Sequence, residues 1–424
     1  MSRIDDLIAE HCPNGLEFKT LGEIGTIFGG LTGKSKADFA NGNSRFVSYV
    51  NVFNNIAVDI EANNFVKIEA GERQRTLQRG DILFTGSSET AEEVGMSSVV
   101  TVDLKEPLYL NSFCIGYRLN DPTTLEPGFS KYLFRSSNLR SQLIRTASGV
   151  TRFNISKARL AKVAIPVPPL EVQREIVKVL DAFTKLEAEL EAELEARRRQ
   201  YKYYRDALLT FGERTDADAS KQASKQARLM AMGEIGKFIR GRRFTKDDIV
   251  EHGIPSIHYG EIYTHYGVAT ASTVSHVRAD IAQQLRYAQP NDVVIAAVGE
   301  TVEDVAKAVA WLGDEDVAIH DDCFLFRHSM NPKFVSYCLQ TEAFHAQKNK
   351  YVARAKVKRL SGESLAKIRI PVPSLEEQER IVSILDKFDV LVNDLSSGLP
   401  AEIKARRQQY EHYRDRLLTF REAA

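Results

Sequence analysis

The chain has one tryptophan, four cysteines, no excess of either charge and no long apolar run. Each shortage removes a class of protein. Cys12, Cys114, Cys323 and Cys338 show no C-x-x-C spacing, which excludes the common zinc and disulfide frameworks. Nine histidines are scattered without H-x-x-x-H spacing, so no metal and no cofactor is expected. Without a signal peptide or a spanning stretch, the expected setting is the reducing cytoplasm, with no membrane partner. Lys+Arg and Asp+Glu both count 57, so any nucleic-acid binding must come from charge segregated along the chain. With 43% hydrophobic and 27% charged residues, 424 residues suffice for two or three ordinary domains.

What the chain does have is a duplication. IPVPPLEVQREIVKVLDAFTKLEAELEAELEARRRQYKYYRDALLTF, from Ile165 to Phe211, returns as IPVPSLEEQERIVSILDKFDVLVNDLSSGLPAEIKARRQQYEHYRDRLLTF, from Ile370 to Phe420. Gly22-Glu23-Ile24-Gly25 recurs as Gly233-Glu234-Ile235-Gly236, and RGDILFTGSSETAEEV recurs as PNDVVIAAVGETVEDV, pairing Asp81 with Asp292. Cys114 and Cys323 also match, in LNSFCIGYRL and IHDDCFLFRH, and read as small core residues. Each copy is a globular part followed by a helical part.

In the globular parts, RFVSYVNVF, GDILFTG and LYLNSFCIGYRL are β-branched and aromatic runs bounded by Gly or Asn, the mark of strands. Helices are predicted near Ser130–Ile144 and Pro332–Lys348. Pro166, Pro168 and Pro169, with Pro371 and Pro373 in the second copy, hold the chain extended until just after Leu170 and Leu375. From Glu171 to about Phe211 nothing breaks a helix, and apolar residues fall three and four apart, forming a seam for a partner helix. Ser396-Ser397-Gly398-Leu399-Pro400 should split the corresponding helix of the second copy. The predicted architecture is α/β (α+β): a largely β domain over 1–164, helical spacer 165–211, linker 212–231, a second largely β domain over 232–369 and helical spacer 370–424.

Ile-Pro-Val-Pro, the following Gln, VLDAF or ILDKF, and Arg-Arg-x-Gln-Tyr-x-x-Tyr-Arg-Asp-x-Leu-Leu-Thr-Phe resemble the specificity subunit of type I restriction-modification systems over nearly the whole chain. The resemblance implies two target recognition domains on long helices packed antiparallel. It also implies a non-catalytic role on double-stranded DNA, with two adenine-methylating modification subunits and, through them, restriction subunits as partners. The tandem Leu-Glu-Ala-Glu from Leu186 to Glu193 resembles the short repeats that, in this family, alter the distance between half-sites. A self-contained DNA-binding regulator and a coiled-coil scaffold that never meets DNA are the rival readings.

Candidate contacts follow from charge and hydrogen-bonding chemistry. HAQKNKYVARAKVKRL carries Lys348, Lys350, Arg354, Lys356, Lys358 and Arg359 without an acid; the first copy has Arg135, Arg140, Arg145, Arg152, Lys157 and Arg159 over the matching stretch. Their shared location favours a phosphate-gripping surface over a merely solvated face, with Arg145, Arg152, Lys350 and Lys356 foremost. Asn51, Asn54 and Asn55 of VNVFNN, and His258 and Tyr259 of SIHYGE, are candidates for touching bases or backbone. Ser87 to Thr90 and Gly299 to Thr301 read equally as a structural turn. Arg242 and Arg243 beside Arg240 form a further basic patch, either phosphate-binding or solvated. On the helices, Arg197, Arg198, Tyr203, Arg406 and Arg407 either meet a modification subunit or keep the rod soluble; Tyr204 and Tyr413 are expected in the helix-helix seam. Gly29 to Ser35 resembles a P-loop but has Phe28 where its first glycine is required.

Overall fold

The computed structural model of the protein describes residues 3–211, 227–353 and 357–423. Most of the expected linker, 212–226, lies outside them. The chain divides into two compact units: residues 1–189 with 404–424, and residues 190–403. Each unit therefore holds one globular repeat, the start of that repeat's own helical segment and the end of the other's.

The first unit is built on an antiparallel sheet in the order Gly25–Gly29, Cys114–Leu119, Ile82–Thr85, Ser97–Val99. The second repeats it as Gly236–Arg240, Cys323–His328, Val293–Ala296, Ala308–Trp311 and adds Ala269–Thr270 in parallel. The central strands Ile82–Thr85 and Val293–Ala296 are buried at every position, which is why they read as continuous apolar runs. Asp81 and Asp292 are buried beside them. Each accepts hydrogen bonds from a guanidinium of the neighbouring strand, Arg118 at 2.6 Å and Arg327 at 2.8 Å, and from a backbone N–H three residues upstream. The paired arginine and turn N–H satisfy a charge that would otherwise be costly to bury. Cys114 and Cys323 are buried thiols on equivalent strands, and burial raises both well above the ordinary thiol range.

Two of the equivalent turns show backbone strain that the sequences resolve differently. Gly80 and Gly95 of the first unit have positive φ, and the matching positions of the second, Asn291 and Ala306, keep φ at 74° and 68°. Glycine adopts that conformation without a Cβ penalty, asparagine at small cost, and alanine at a larger one. Ala306→Gly is therefore expected to stabilise the second unit by about 0.5–1 kcal/mol. Urea denaturation checks this, with an unchanged m-value and a raised midpoint as the expected result.

Ile-Pro-Val-Pro forms short strands, Ala164–Pro166 on Phe18–Thr20 and Arg369–Val372 on Arg228–Ala231, so the last four residues assigned to the linker are structured. The helices then begin at Leu170 and Leu375. The glutamine of the motif explains itself here. Gln173 accepts from the Glu126 N–H at 2.8 Å and donates to the Pro168 carbonyl at 2.7 Å; Gln378 does the same with Asn331 and Pro373, at 2.8 and 2.9 Å. The aspartate of VLDAF and ILDKF accepts from a buried tyrosine hydroxyl, Tyr132 to Asp181 at 2.6 Å and Tyr337 to Asp386 at 2.7 Å. These bonds fix the angle at which each helix leaves its sheet domain.

Helix Leu170–Leu208 has 39 residues, roughly 60 Å at about 1.5 Å each. Within the first unit Phe183 stacks on Tyr413 at 5.4 Å; within the second Phe388 stacks on Tyr204 at 5.5 Å. In each unit the helices run antiparallel, since Glu187, further along, meets Arg407, earlier in its helix, and Tyr201 reaches Asp389 beyond Phe388. Tyr204 and Tyr413 lie at the edge of the seam, each 40% exposed, and Leu190, Leu194 and Tyr201 are buried. The second copy breaks where expected, into Leu375–Asn393 and Leu399–Leu417. Asp394 caps the bend by accepting from the Ser396 N–H at 2.7 Å, and Gly398 is required there because a Cβ would stand 2.3 Å from the Val390 carbonyl oxygen. Among the described residues no helix is long and apolar enough to cross a membrane.

Candidate nucleic-acid interface

In the first unit a cleft of about 410 Å³ opens between three elements: the start of helix Tyr49–Asn54, the turn at Ser87–Glu93 and the loop at Phe113, closed on one side by Arg152. The Tyr49 hydroxyl donates to the Ser87 carbonyl at 2.8 Å, and Ser87–Ser88 pairs with Phe153–Ile155. Arg152 lies between strands Ala147–Ser148 and Phe153–Ile155, in a hairpin tip whose Gly149 has φ +141° and whose Val150 is 94% exposed. Phe113, 64% exposed, presents a phenyl ring beside carboxylates, hydroxyls and a guanidinium.

The second unit builds the same place from other residues. Val298–Gly299 pairs with Lys358–Arg359 as Ser87–Ser88 pairs with Phe153–Ile155, and the Tyr263 hydroxyl donates to the Val298 carbonyl. His258 caps helix Tyr259–Thr264: its Nδ1 accepts from the Gly260 N–H at 3.1 Å, which leaves the proton on Nε2. Burial, reinforced by the neighbouring His320, lowers the His258 pKa, so the imidazole is neutral near pH 7. Arg359 lies 3.6 Å from Asp322, and Arg240 lies 3.8 Å from Asp321. His320, Asp321 and Asp322 cluster with the spacing of a metal-ligand group, yet both His320 nitrogens are engaged, Nδ1 with the Asp322 N–H and Nε2 with the Phe244 carbonyl. The imidazole has no lone pair to spare for an ion.

The candidates chosen from sequence are sorted by this geometry. Arg145, Arg152, Asn54, Arg242, Arg243 and Lys350 are exposed, and His258, Tyr259 and Lys358 are half-buried. Arg354 and Lys356 fall outside the described residues. Lys348 and Asn51 require correction. Lys348 is fully buried, and its ammonium donates to the carbonyls of Val302, Glu303 and Val305, tying down the turn that ends at Ala306. Asn51, 5% exposed, brackets the Asp59 backbone by donating to its carbonyl and accepting from its N–H. Arg135 and Arg140 are likewise turned inward, onto the carbonyls at Ser97 and Val52–Asn55, and at Glu92–Gly95. On the rod Arg197 and Arg198 bond Glu193 and Glu195 one turn back, Arg407 bonds Glu187, Arg406 bonds Gln409, and Tyr203 is 69% exposed. Sequence reasoning passed over Phe113 and Asp322. The signal was available: they stand at the same place, directly before the shared cysteine of LNSFC and IHDDC, and differ there as aromatic against acid.

Comparison with known proteins gives a consistent result. A family model described as the type I restriction modification DNA specificity domain matches residues 13–196 and again 226–405. The specificity subunit of the type I restriction enzyme EcoR124I/EcoR124II of Escherichia coli is 32% identical over 281 residues, 63% of this chain and 65% of that relative, so the chain spans just under two thirds of its length. A solved chain from work on complex assembly and conformational transition of the type I R-M system shares the fold, with a TM-score of 0.65 at 18% identity over 96% of this chain and 98% of that one.

Proposed function

Since this chain belongs to the type I restriction-modification DNA specificity family, we propose that each unit reads one half of a bipartite, asymmetric target on double-stranded DNA while the helical segments set the gap between the halves. The same helices dock two modification subunits, which bring the methyltransferase chemistry, and through them the restriction subunits. The chain itself supplies the address and no catalysis, and acts in the cytoplasm.

The observation that carries this reading is the recurrence of one local backbone arrangement at equivalent places in the two units. It comes with Tyr49, Ser87, Phe113 and Arg152 in the first and His258, Tyr259, Asp322 and Arg359 in the second. A single chain with two copies of one unit can match paired half-sites as a DNA-binding homodimer does, and divergence of the side chains lets the halves differ. Arg145, Arg152, Lys350, Arg242 and Arg243 grip phosphates from exposed positions, with Arg354, Lys356 and Lys358 in the same basic run; Asn54, His258 and Tyr259 lie toward the bases. Arg197, Arg198 and Tyr203 on the helices of the second unit, and Arg406 and Arg407 on those of the first, are the docking positions, Tyr203 being an exposed aromatic anchor.

The test is adenine-methylation mapping of a genome carrying this chain with a cognate modification subunit, against the modification subunit alone. A bipartite methylated motif that appears only with this chain is the expected result. No new motif from a complex shown to form would favour a coiled-coil scaffold instead. Arg152→Ala is expected to weaken binding nearly uniformly over DNA sequences and to flatten the slope of log K against log salt by roughly 0.9, one phosphate contact. Fluorescence anisotropy across a salt series measures it.

A further inference from the structure

The loop that carries Phe113 in the first unit and Asp322 in the second is held by the same bonds in both. Gly86 and Ala297 donate their N–H groups to the Phe113 and Asp322 carbonyls at 2.9 and 2.8 Å. Cys114 and Cys323 donate to the Asn111 and His320 carbonyls at 3.0 and 2.9 Å. The N–H of Phe113 bonds the Asn111 side chain at 2.8 Å, and that of Asp322 bonds the His320 ring at 3.2 Å. Asparagine and histidine thus close one turn with different acceptors. Gly30 and Gly241 lie against it in each unit, where a Cβ would approach the carbonyl of Asn111 or His320 to 2.0 or 2.2 Å. The backbone does the structural work in both places, and the side chain after the turn is free to differ.

It differs completely. Phe113 puts an exposed ring at the mouth of its cleft, beside Arg152 and the carboxylates of Glu89 and Glu93. Asp322 puts a carboxylate at the matching position of the second unit, 3.6 Å from the Arg359 guanidinium, whose side chain is 58% exposed. On the proposed DNA-reading function, on which this inference rests, we propose that this one position selects a base in each half-site. Phe113 packs against the C5-methyl of a thymine. Arg359, oriented by Asp322, presents its forked donors to O6 and N7 of a guanine. The thymine methyl is the apolar group that a base pair shows in the major groove, and bidentate arginine is the geometry that fits guanine there.

The experiment uses the full chain assembled with a modification subunit and a DNA library randomised over both half-sites, read by methylation and by competition binding. Phe113→Ala is expected to lower the preference for thymine at one position of one half-site about 5- to 50-fold, and Arg359→Ala to lower that for guanine at one position of the other about 10- to 100-fold. In each case the opposite half-site keeps its motif. Phe113 is exposed, so Phe113→Ala should fold as the parent does, and Asp322→Asn reports on the second unit should Arg359→Ala prove unstable, with a weakened guanine preference expected. Unchanged preference at every position, or equal loss over all sequences, overturns the inference while a wild-type bipartite motif keeps the underlying function intact. Absence of any wild-type motif overturns both.

Discussion

Replacing Lys348 with alanine is expected to cost about 3–5 kcal/mol of stability, because three backbone carbonyls lose a charged donor and the buried side chain leaves a void. The lysine lies at the end of helix Glu342–Lys348 and reaches the Val302, Glu303 and Val305 carbonyls at 2.8, 3.3 and 2.9 Å. Burial lowers its pKa to about 8, so it still carries a proton at pH 7 and donates all three bonds. In a domain of this size the loss corresponds to a drop in Tm of roughly 10 °C. A phosphate contact makes the opposite forecast, little change in Tm and a salt slope smaller by about 0.9. Thermal unfolding and a salt series on the variant that remains folded separate the two; a lowered Tm with an unchanged slope is expected. The first unit supplies an internal parallel, since Arg140 ties the equivalent Glu92–Gly95 turn from the start of its helix rather than from the end.

Lys348 also marks where sequence stopped being enough. It stands in a run of cations with Lys350, yet the two residues differ completely in exposure. The helical period held the hint, because Phe344 and Lys348 are four apart and share the buried face. Composition along the run could not reveal that three carbonyls wait beneath, as they belong to a turn some 45 residues earlier. The large elements were legible for the converse reason: proline and glycine act locally, so the helix starts at Leu170 and Leu375 and the break before Leu399 follow from neighbouring residues alone. Asn51 misled in the manner of Lys348, as an amide suited to reading adenine is equally suited to bracketing a backbone loop, here at Asp59. Phe113 was missed because an aromatic in a strand-rich segment reads as core. Only the shared turn of Asn111 and His320 makes its exposure intelligible.

Inserting one further Leu-Glu-Ala-Glu after Glu193 is expected to widen the unread gap in the methylated motif by one to two base pairs and leave both half-sites unchanged. Four residues add about 6 Å of helix, and duplex DNA rises about 3.4 Å per base pair. Four residues also turn the helix by about 40° beyond one full revolution at 3.6 residues per turn, so the apolar face is nearly kept. Leu190 and Leu194, both buried, show that the tandem already repeats at this spacing within the seam, and the division between the two units falls at Glu189. The returning chain has a place to take up length, the bend from Asp394 to Gly398, which already carries residues that the first copy lacks. Because the first unit's cleft and the second unit's matching strand pair are each built within one unit, lengthening the connecting helix should leave their side chains untouched. Affinity for the original spacing should fall by at least about 100-fold, since a chain that can engage only one half-site forfeits the effective concentration gained at the other. Methylation mapping of the variant decides it: altered half-site sequences with the old gap would mean that the helices do not measure distance at all.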